Sequence, residues 1–364
     1  MTSVLQGVTL DDAIVQALEE LGSEVELLRY SDKGANGHLF FADHKILDQK
    51  IAIKFYCWDK TRAHEEPRRL HGIRSDHVLE VLSARVVDEE WAMFQTPYCP
   101  RGDLDDVLAS GPLSLHAAMD VTIEVLTGVS SLHGARVVHR DLKPGNVFMD
   151  GEGRALIGDF GSVKALPDGG DDVVGSGHSV LYRPPESFAH QRYGPPGDLY
   201  QCGLLLYQLL GGAFPYDPEA WLDREGQQCW VRATDDYDRS KCVDAAIARR
   251  ALGARLLDLA SLPGSVPRSL VRVISKATRP DPEGRYGGCG DFIAALRRVR
   301  GECFDWYWTG SEARVGLPKR RIRVSPKREK YVAQVERGNG WRKVKGVEEG
   351  DLEPVVREVE KLYG

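Results

Sequence analysis

The feature that most constrains this chain is the octapeptide HRDLKPGN, which runs from His139 to Asn146. The tripeptide Asp159–Phe160–Gly161 follows, thirteen residues after Asn146. A short apolar segment precedes each motif, RVV in the first case and ALI in the second, and predicts a strand leading into it. Either motif alone would be a weak signal, because tripeptides recur by chance in turns. Their order, spacing and shared strand context argue against coincidence.

The polar residues of these motifs match the needs of phosphoryl transfer. That reaction needs a carboxylate to orient the attacking hydroxyl, oxygen ligands for Mg²⁺ and cations for the phosphates. Asp141 is the candidate base. Asn146 and Asp159 are candidate Mg²⁺ ligands, because Mg²⁺ prefers hard oxygen donors. Lys143 can reach the transferred phosphoryl group and balance its charge.

Two further candidates lie upstream. Lys54 ends the segment IAIK, which predicts a strand with the lysine facing a cleft. Gly34 and Gly37, in DKGANGHLF, would let backbone N–H groups approach phosphates, because a Cβ would block that approach. A lone lysine on a strand is usually solvated, and a pair of glycines is typical of any hairpin turn. Their combination favours the phosphate-binding interpretation.

The periodicity of the chain predicts a strand-rich part followed by a helical part. Apolar residues recur at helical spacing from Leu10 to Leu21 and predict a short helix within 10–29. Strands are predicted next, with a polar helix at 60–71, and helices dominate from residue 103. We therefore expect an α+β fold with these divisions: an N-terminal helix (1–24), an N-lobe (25–98), a C-lobe (103–300) with an insert near 217–266, and a C-terminal module (301–364).

The seven cysteines form no CxxC pair, and no histidine lies at zinc-finger spacing. Their odd number and wide spacing predict reduced, mostly buried thiols in a cytoplasmic protein. Residues 1–10 lack the basic start and apolar run of a secretory signal. The most apolar stretch, Cys202 to Phe214, is shorter than the roughly 20 residues of a membrane span and predicts a buried helix.

Together these motifs resemble the eukaryotic-type (Hanks-type) Ser/Thr protein kinase family, over roughly residues 25–300. The resemblance implies a two-lobed fold with a small antiparallel sheet in the N-lobe and a helical C-lobe. It implies that Lys54 contacts the α- and β-phosphates of ATP and that Glu66 is its ion-pair partner. Asp141 is then the catalytic base, and Asn146 and Asp159 bind Mg²⁺, for which Mn²⁺ can substitute.

The resemblance also assigns residues around the adenine ring and in the C-lobe. Thr96 precedes the hinge at 97–100, Cys99 offers backbone hydrogen bonds to adenine, and Ala52 and Phe148 enclose the ring. The C-lobe assignments are these: the segment from Ser179 to Glu186 resembles the one that ends in APE, Arg285 pairs with Glu186, and Asp198 holds the backbone of the catalytic loop.

The substrate class implied by the resemblance is protein serine or threonine. Lys143 resembles the Ser/Thr pattern of the catalytic loop. Ser179 occupies the place where such kinases usually have threonine, and its hydroxyl could bridge Asp141 and Lys143. Protein substrates are the implied partners, and autophosphorylation can accompany the reaction.

Two positions depart from the family pattern. Asp32 stands where the first glycine of the phosphate-binding loop is expected, and its carboxylate would mildly repel a triphosphate, weakening the affinity for ATP. Pro67 follows Glu66 directly, and proline is tolerated only in the first turn of a helix. Either that helix starts at about Glu65, or Glu65 is the pairing residue. Surface charge is the alternative interpretation of both glutamates.

The activation segment, 159–186, contains Ser162, Ser176 and Ser179 but no threonine. Arg140 precedes the catalytic aspartate, and such an arginine commonly docks an activating phosphate. We hypothesise that phospho-Ser176, or the acidic cluster Asp168, Asp171 and Asp172, fills that place. The alternative is that DGGDD is a solvated loop.

The C-terminal part is basic, with eleven Lys and Arg against two Glu between Lys319 and Lys345. Residues 309–318 read as a break, the Asn339–Gly340 pair predicts a hairpin, and a helix is expected from Leu352 to Leu362, so we predict a β-β-α module. Its charge could bind nucleic acid, an acidic protein or the acidic insert at 235–238. A solvated small domain with an aromatic core is the alternative.

Two other functions stay open from the residues. A pseudokinase scaffold would have lost a catalytic residue, yet Lys54, Asp141, Asn146 and Asp159 are all present. Asp32 and the uncertain glutamate keep that interpretation open. A small-molecule phosphotransferase of the aminoglycoside-kinase type would share the HxD…N pattern, but it would generally lack an APE-like segment and its arginine.

Overall fold

The computed structural model describes residues 4–5, 7–31, 37–57, 72–175, 179–318, 320–338 and 340–364. The chain divides into two compact units, Met1–Asp103 with Phe148–Gly161 and Leu104–Val147 with Ser162–Gly364. The described part of the first unit is built on an antiparallel sheet, and that of the second is mainly helical with a further sheet at its end. The predicted α+β class is therefore confirmed.

The sheet of the first unit has five antiparallel strands in the order β1-β2-β3-β5-β4. They are β1 (Val25–Ser31), β2 (Gly37–His44), β3 (Gln49–Cys57), β4 (Ser83–Val86) and β5 (Trp91–Pro97). Ile51, Ile53 and Phe55 of β3 have no solvent exposure, whereas Ala52 and Lys54 lie on the other side of the strand. This alternation follows from the two-residue period of a strand and places the lysine away from the hydrophobic core.

Helix α1 (Asp12–Leu21) belongs to the hydrophobic core of this sheet. It begins after Asp11, whose carboxylate accepts a hydrogen bond from the Ala13 amide at 3.0 Å. Ile14 and Leu18 are buried in the same cluster as strand residues, and each such burial contributes about 1.5–3 kcal/mol. The helix lies inside the interval 1–24 predicted for it, and β1 begins at residue 25.

The helices of the second unit surround one that is buried along most of its length. The described helices are α2 (Leu104–Leu108), α3 (Leu115–Gly134), α4 (Pro185–His190), α5 (Pro195–Leu209), α6 (Arg224–Arg232), α7 (Asp236–Leu252), α8 (Arg268–Ala277), α9 (Cys289–Glu302) and α10 (Leu352–Tyr363). Every residue of α5 from Gly197 to Leu209 is buried. This confirms the buried helix predicted for Cys202 to Phe214 as far as Leu209, where the helix ends. In the described ranges, no helix combines the length and apolarity that crossing a membrane would require.

Short strands frame the loops that carry the motifs. They are β6 (Val137–Val138) with β9 (Lys164–Ala165), β7 (Val147–Met149) with β8 (Ala155–Ile157), and β10 (Val173–Val174) with β11 (Arg192–Tyr193). The strands predicted before the two motifs are therefore present as β6 and β8. Because each is paired by backbone hydrogen bonds, the motif that follows it starts from a fixed position.

The insert corrects the prediction for the cysteines. Helices α6 and α7 form a pair, and a disulfide joins Cys229 of α6 to Cys242 of α7. The expectation that all seven thiols are reduced is wrong for these two. They lie thirteen positions apart in the sequence, and the packing of two helices brings their Cα atoms to 5.7 Å. Of the other five, Cys202 and Cys289 are buried, Cys57 is exposed, and Cys99 and Cys303 are half-buried.

The C-terminal module contains a larger sheet than predicted. Its antiparallel strands follow one another in chain order as β12 (Trp306–Thr309), β13 (Glu312–Leu317), β14 (Arg320–Lys327), β15 (Lys330–Arg337) and β16 (Gly340–Lys343). The predicted break at 309–318 was wrong, because Ala313 and Val315 of β13 are buried in the sheet. The predicted helix is confirmed as α10. The module is part of the second unit, where Trp308 Nε1 donates to Ser265 Oγ at 3.2 Å.

Candidate functional site

Lys54 and Asp159 form an ion pair within the first unit. The Lys54 ammonium lies 2.6 Å from Asp159 Oδ1, and the two side chains are 29% and 38% exposed. Lys54 is held by β3, which pairs with β2 on one side and β5 on the other. Asp159 has a φ of 51°, a conformation that non-glycine residues seldom adopt and that occurs often at functional sites. A cation and a carboxylate, both partly accessible, are thus available to a phosphate and its metal ion.

The residues assigned to the adenine ring also lie in the first unit. Ala52 and Thr96 are paired neighbours on β3 and β5, and Thr96 is buried. The strand that carries Phe148 is tied to the hinge, because the Met149 amide donates to the Gly102 carbonyl at 2.8 Å. A Cβ at residue 158 would lie 2.6 Å from the Phe148 ring, so any other residue before Asp159 would force that ring to move.

Cys99 lies in the hinge, half-buried. Burial, followed by the negative charge of Asp150, raises the pKa of its thiol to about 11, so the thiol stays protonated at neutral pH. Its carbonyl accepts a hydrogen bond from the Gly102 amide at 3.2 Å. Cys99 can therefore offer a ring its own N–H group and the second lone pair of its carbonyl oxygen.

The phosphate-binding hairpin is described only in part. Gly37 begins β2, and a Cβ there would lie 1.9 Å from the Phe55 carbonyl oxygen, so only glycine fits this close approach. Gly34 and Asp32 lie outside the described residues. Glu66, Glu65 and the predicted helix at 60–71 lie outside them as well.

Asp141 is the centre of the catalytic loop in the second unit. Its side chain is buried, and Oδ2 accepts from Lys143 Nζ and from Asn146 Nδ2, each at 3.0 Å. Oδ1 is also buried and has no hydrogen-bond partner among the described residues. An unpartnered buried carboxylate oxygen costs about 1–3 kcal/mol or more, which a folded protein tolerates chiefly at functional sites. Oδ1 is therefore the atom most suited to accept a proton from a bound hydroxyl.

Lys143 links the catalytic loop to the activation segment. Its ammonium donates to Ser179 Oγ at 2.8 Å as well as to Asp141. The sequence predicted that the Ser179 hydroxyl bridges Asp141 and Lys143. In the described structure the Lys143 ammonium is the bridging group, and it links Ser179 to Asp141. Ser179 has a φ of 42°, so the activation segment turns sharply at this contact.

Asp198, in the first turn of α5, holds the backbone of the catalytic loop. Its carboxylate accepts from the His139 and Arg140 amides, each at 3.0 Å, and from Tyr193 Oη at 2.8 Å. Burial alone would raise the pKa of Asp198, but the hydrogen bond from His133 and the nearby charges lower it below the ordinary value. The carboxylate therefore stays ionised and fixes the backbone immediately before Asp141.

Three supporting residues escaped the sequence analysis, namely His133, Tyr193 and Gln201. His133 Nε2 lies 2.8 Å from Asp198 Oδ2, and Gln201 Oε1 accepts from the Leu142 amide at 2.8 Å. Gln201 could have been found, because it lies three residues after Asp198 and so on the same face of α5. His133 and Tyr193 are brought in by other elements and carry no local signal.

Arg140 is held by main-chain carbonyls of the activation segment. Its Nε donates to the Ser162 carbonyl at 2.6 Å and its Nη1 to the Val174 carbonyl at 2.8 Å. Among the described residues, the nearby Asp172 pairs instead with Arg192, at 3.4 Å. The hypothesis that the acidic cluster fills the place beside Arg140 is therefore wrong. Ser176 lies outside the described residues.

Glu186 and Arg285 form a buried ion pair. The guanidinium donates to both carboxylate oxygens, at 2.8 and 2.6 Å, and the arginine side chain has no solvent exposure. It also donates to the carbonyls of Arg279, Pro196 and Pro280. A bidentate pair with these additional acceptors is the arrangement in which a buried arginine is tolerated. It fixes the end of the activation segment against the loop that carries Arg285.

The residues assigned to a metal offer hard oxygen donors. Asn146 Nδ2 donates to the Asp141 carbonyl at 2.7 Å and to Oδ2 of the same residue, so its carboxamide oxygen is the atom it can present to a cation. In the described ranges, no three His, Cys, Asp or Glu side chains form a group able to hold a metal ion. The donors fit Mg²⁺, which commonly takes one or two protein ligands together with substrate phosphates.

Comparison with known proteins agrees with this geometry. Residues 32–292 match the family model described as "Protein kinase domain". "Serine/threonine-protein kinase PrkC" of Bacillus subtilis (strain 168) is 26% identical over 291 residues, which cover 77% of this chain and 41% of that protein. "Serine/threonine protein kinase OSK3" of Oryza sativa subsp. indica is 30% identical over 196 residues, which cover 51% of this chain and 38% of that protein.

A mammalian relative is also similar. "Interferon-induced, double-stranded RNA-activated protein kinase" of Mus musculus is 27% identical over 210 residues, which cover 53% of this chain and 41% of that protein. The matches therefore span about two fifths of the length of these curated relatives.

Proposed function

Since the chain belongs to the protein kinase family, we propose that it is a serine/threonine protein kinase that transfers the γ-phosphoryl group of ATP to hydroxyls of protein substrates. The observation that carries the proposal is Asp141, with Oδ2 fixed by Lys143 and Asn146 and Oδ1 buried without a partner among the described residues. This is the arrangement expected of a general base with one oxygen atom available to a substrate hydroxyl group. The kinase domain is proposed to span residues 25–300, with a separate module at 301–364.

In the proposed reaction, the substrate hydroxyl oxygen bonds to the γ-phosphorus. The bond between that phosphorus and the β–γ bridging oxygen breaks, and ADP leaves with the electron pair. Asp141 Oδ1 accepts the hydroxyl proton. The Lys143 ammonium, which also holds Ser179 at 2.8 Å, balances charge on the transferred group. Asp198 and Gln201 contribute by fixing the loop that carries both residues.

Nucleotide binding is assigned to residues of the first unit. We propose that Lys54 contacts the α- and β-phosphates, that the Cys99 N–H group contacts adenine, and that Ala52, Thr96 and Phe148 border the ring. Asp159 and Asn146 would hold Mg²⁺, with Mn²⁺ as a substitute, and the ion would neutralise phosphate charge when bound. Glu66 stays the proposed ion-pair partner of Lys54, and Gly34 stays part of the phosphate-binding loop.

The test is incorporation of labelled phosphate from ATP with Mg²⁺ into the protein itself, a generic basic protein and an aminoglycoside, together with a measurement of Mg-ATP binding. We expect label on serine or threonine, and about 10²-fold less with Lys54→Met, because the phosphates lose their positioning cation. Lys50→Met is a matched control on the same strand, since the ion pair of Lys50 among the described residues is with exposed Asp43 at 3.7 Å, and it should keep wild-type activity. Binding of Mg-ATP without any labelling would indicate a pseudokinase, and labelling of an aminoglycoside alone would indicate a small-molecule kinase.

We also propose that activity does not need phosphate on the activation segment. The Arg140 guanidinium, which would dock such a phosphate, already donates to two carbonyls of that segment. The strands β10 and β11 pair beside it, and the Gly175 amide donates to the Gln191 carbonyl at 2.8 Å. The main chain itself therefore holds the segment in place.

The corresponding prediction concerns Ser176. Ser176→Ala and phosphatase-treated wild type should each keep at least about half of the wild-type kcat, because Arg140 keeps its partners. Peptide phosphorylation measured with fully dephosphorylated protein, verified by intact mass, is the check. A fall of more than about tenfold in both samples would show that phosphate is required after all.

The proposal extends to location and partners. ATP is made and used in the cytoplasm, and we place the chain there. The Cys229–Cys242 disulfide is unusual for that compartment, where glutathione keeps most thiols reduced. Protein substrates are the proposed partners of the reaction. We propose in addition that the basic C-terminal module binds an anionic partner that takes no part in phosphoryl transfer.

A further inference from the structure

The C-terminal sheet has two faces of opposite character. Paired residues on neighbouring antiparallel strands point to the same side of a sheet, so the register sorts the side chains. Trp306, Val315, Ile322 and Val335 share one face, and all are at most 6% exposed. Helix α10 lies on this side, where Trp306 Nε1 donates to Glu360 Oε1 at 3.0 Å. This face is the hydrophobic core of the module.

The opposite side, which we call the open face, carries mainly polar and aromatic residues, although Ser325 and Val332 on this side are buried. One row crosses all five strands, and its members are Tyr307, Arg314, Arg323, Gln334 and Lys343. Arg321 and Trp341 flank the row on the same side, two residues away along their strands. Five strands about 4.8 Å apart make this row roughly 19 Å wide.

The open face has an excess of positive charge although the whole chain has a net charge of −6. Its cations are Arg314, Arg321, Arg323, Lys327, Lys330 and Lys343. Three glutamates offset part of this charge: Glu312 lies within 3.3 Å of Arg314 and Arg323, Glu336 lies 3.7 Å from Arg321, and Glu349 contacts Lys327 and Lys343. Six cations thus face three acids, and the surface favours an anionic partner.

Aromatic rings are interleaved with these cations. The Arg323 guanidinium lies 4.5 Å from the centroid of the Trp341 ring, and its Nε donates to Gln334 Oε1 at 2.8 Å. The Trp341 ring is therefore held in a fixed orientation on the open face. Tyr307, at the other end of the row, is 40% exposed. Fixed rings beside guanidinium groups are the elements on which unpaired bases stack.

We propose that the open face binds single-stranded nucleic acid, with its arginines and lysines contacting phosphates and with Trp341 and Tyr307 stacking on bases. An acidic peptide would pair with the cations but would not need the two aromatic rings. Single-stranded nucleic acid would contact both the cations and the rings, so it fits the surface better. This inference goes beyond phosphoryl transfer and does not depend on it.

The test is fluorescence anisotropy of the full chain with labelled oligouridylate and oligothymidylate of about 12 nucleotides. We expect binding that weakens as salt rises, because phosphate contacts release counterions. Arg321→Glu with Lys343→Glu should weaken binding at least about tenfold. Both side chains are more than half exposed, so the fold should tolerate the change. Trp341→Ala should weaken binding about tenfold without any change in charge.

Arg342→Glu, compared with Lys343→Glu alone, is the matched control for charge reversal on β16. Arg342 is exposed on β16 next to Lys343, but it pairs with Val335 and so points to the opposite side of the sheet. It should change the affinity less than about twofold. Equal weakening by Arg342→Glu, or no binding at low salt, would overturn the proposal. The proposal would also be overturned if polyglutamate displaced the oligonucleotide and Trp341→Ala bound the oligonucleotide with unchanged affinity. That result would assign the surface to acidic peptides.

Discussion

Asp141→Asn should lower kcat for peptide phosphorylation by about 10²–10⁴-fold, the usual contribution of a general base. Asparagine has nearly the same shape as aspartate, but its amide cannot take the proton of the substrate hydroxyl. The affinity for Mg-ATP should stay close to the wild-type value, because the adenine and phosphate contacts are assigned to residues of the first unit. Steady-state kinetics and nucleotide titration of the same preparation separate the two effects.

Stability gives this prediction a second, opposite readout. Asp141 Oδ1 is buried without a partner among the described residues, so removing the negative charge should leave the thermal midpoint unchanged or raise it. Asp120→Asn is a suitable control, because Asp120 is a carboxylate of the same unit that pairs with Arg300 at 2.6 Å and is 46% exposed. A kcat within about threefold of wild type for Asp141→Asn would remove Asp141 from the chemistry.

Arg285→Met should lower the free energy of unfolding by about 3–5 kcal/mol, because it leaves the Glu186 carboxylate buried without its cation. The arginine side chain has no solvent exposure, so water cannot replace the lost hydrogen bonds. The midpoint of chemical denaturation of the full chain is the measurement. Glu186→Leu combined with Arg285→Met should recover only part of the loss, since the Arg279, Pro196 and Pro280 carbonyls also lose a donor.

The exposed pair between Arg268 and Glu353 supplies the matched comparison. Its nitrogen and oxygen lie 3.1 Å apart, but the arginine is 77% exposed. Arg268→Met should therefore cost less than about 1 kcal/mol, as is usual for ion pairs in solvent. Similar losses at positions 268 and 285 would mean that burial does not decide the value of the Glu186–Arg285 pair.

Sequence periodicity was sufficient for elements whose pattern is local. In β3 the alternation of apolar residues, and in α5 the apolar run, lie within the element itself, so both elements were predicted. Strand β13 was missed because Gly310, Gly316 and Pro318 suggest a turn. What makes it a strand is the pairing of Arg314 with Arg323 across the sheet and of its neighbours with β12. The Cys229–Cys242 disulfide was missed for the same reason, since it depends on the packing of two helices.

The residues of the candidate site also differ in whether their signal is local in the sequence. Asp141, Lys143, Asn146 and Asp159 could be predicted because each lies in a short motif with its own spacing. Their supports could not, because His133 and Tyr193 reach Asp198 from separate elements. The contacts of Arg140 were hardest to foresee, since its partners are carbonyl groups, which every residue possesses and which leave no trace in a sequence.

Those carbonyl contacts bear on how a cell would govern such an enzyme. A kinase whose activation segment needs added phosphate has its output set by another enzyme upstream, and it can be switched within seconds. We propose that here the carbonyl contacts of Arg140 take the place of that phosphate. The number of active molecules would then follow the number of molecules made, so control would pass to gene expression, proteolysis and the supply of substrate.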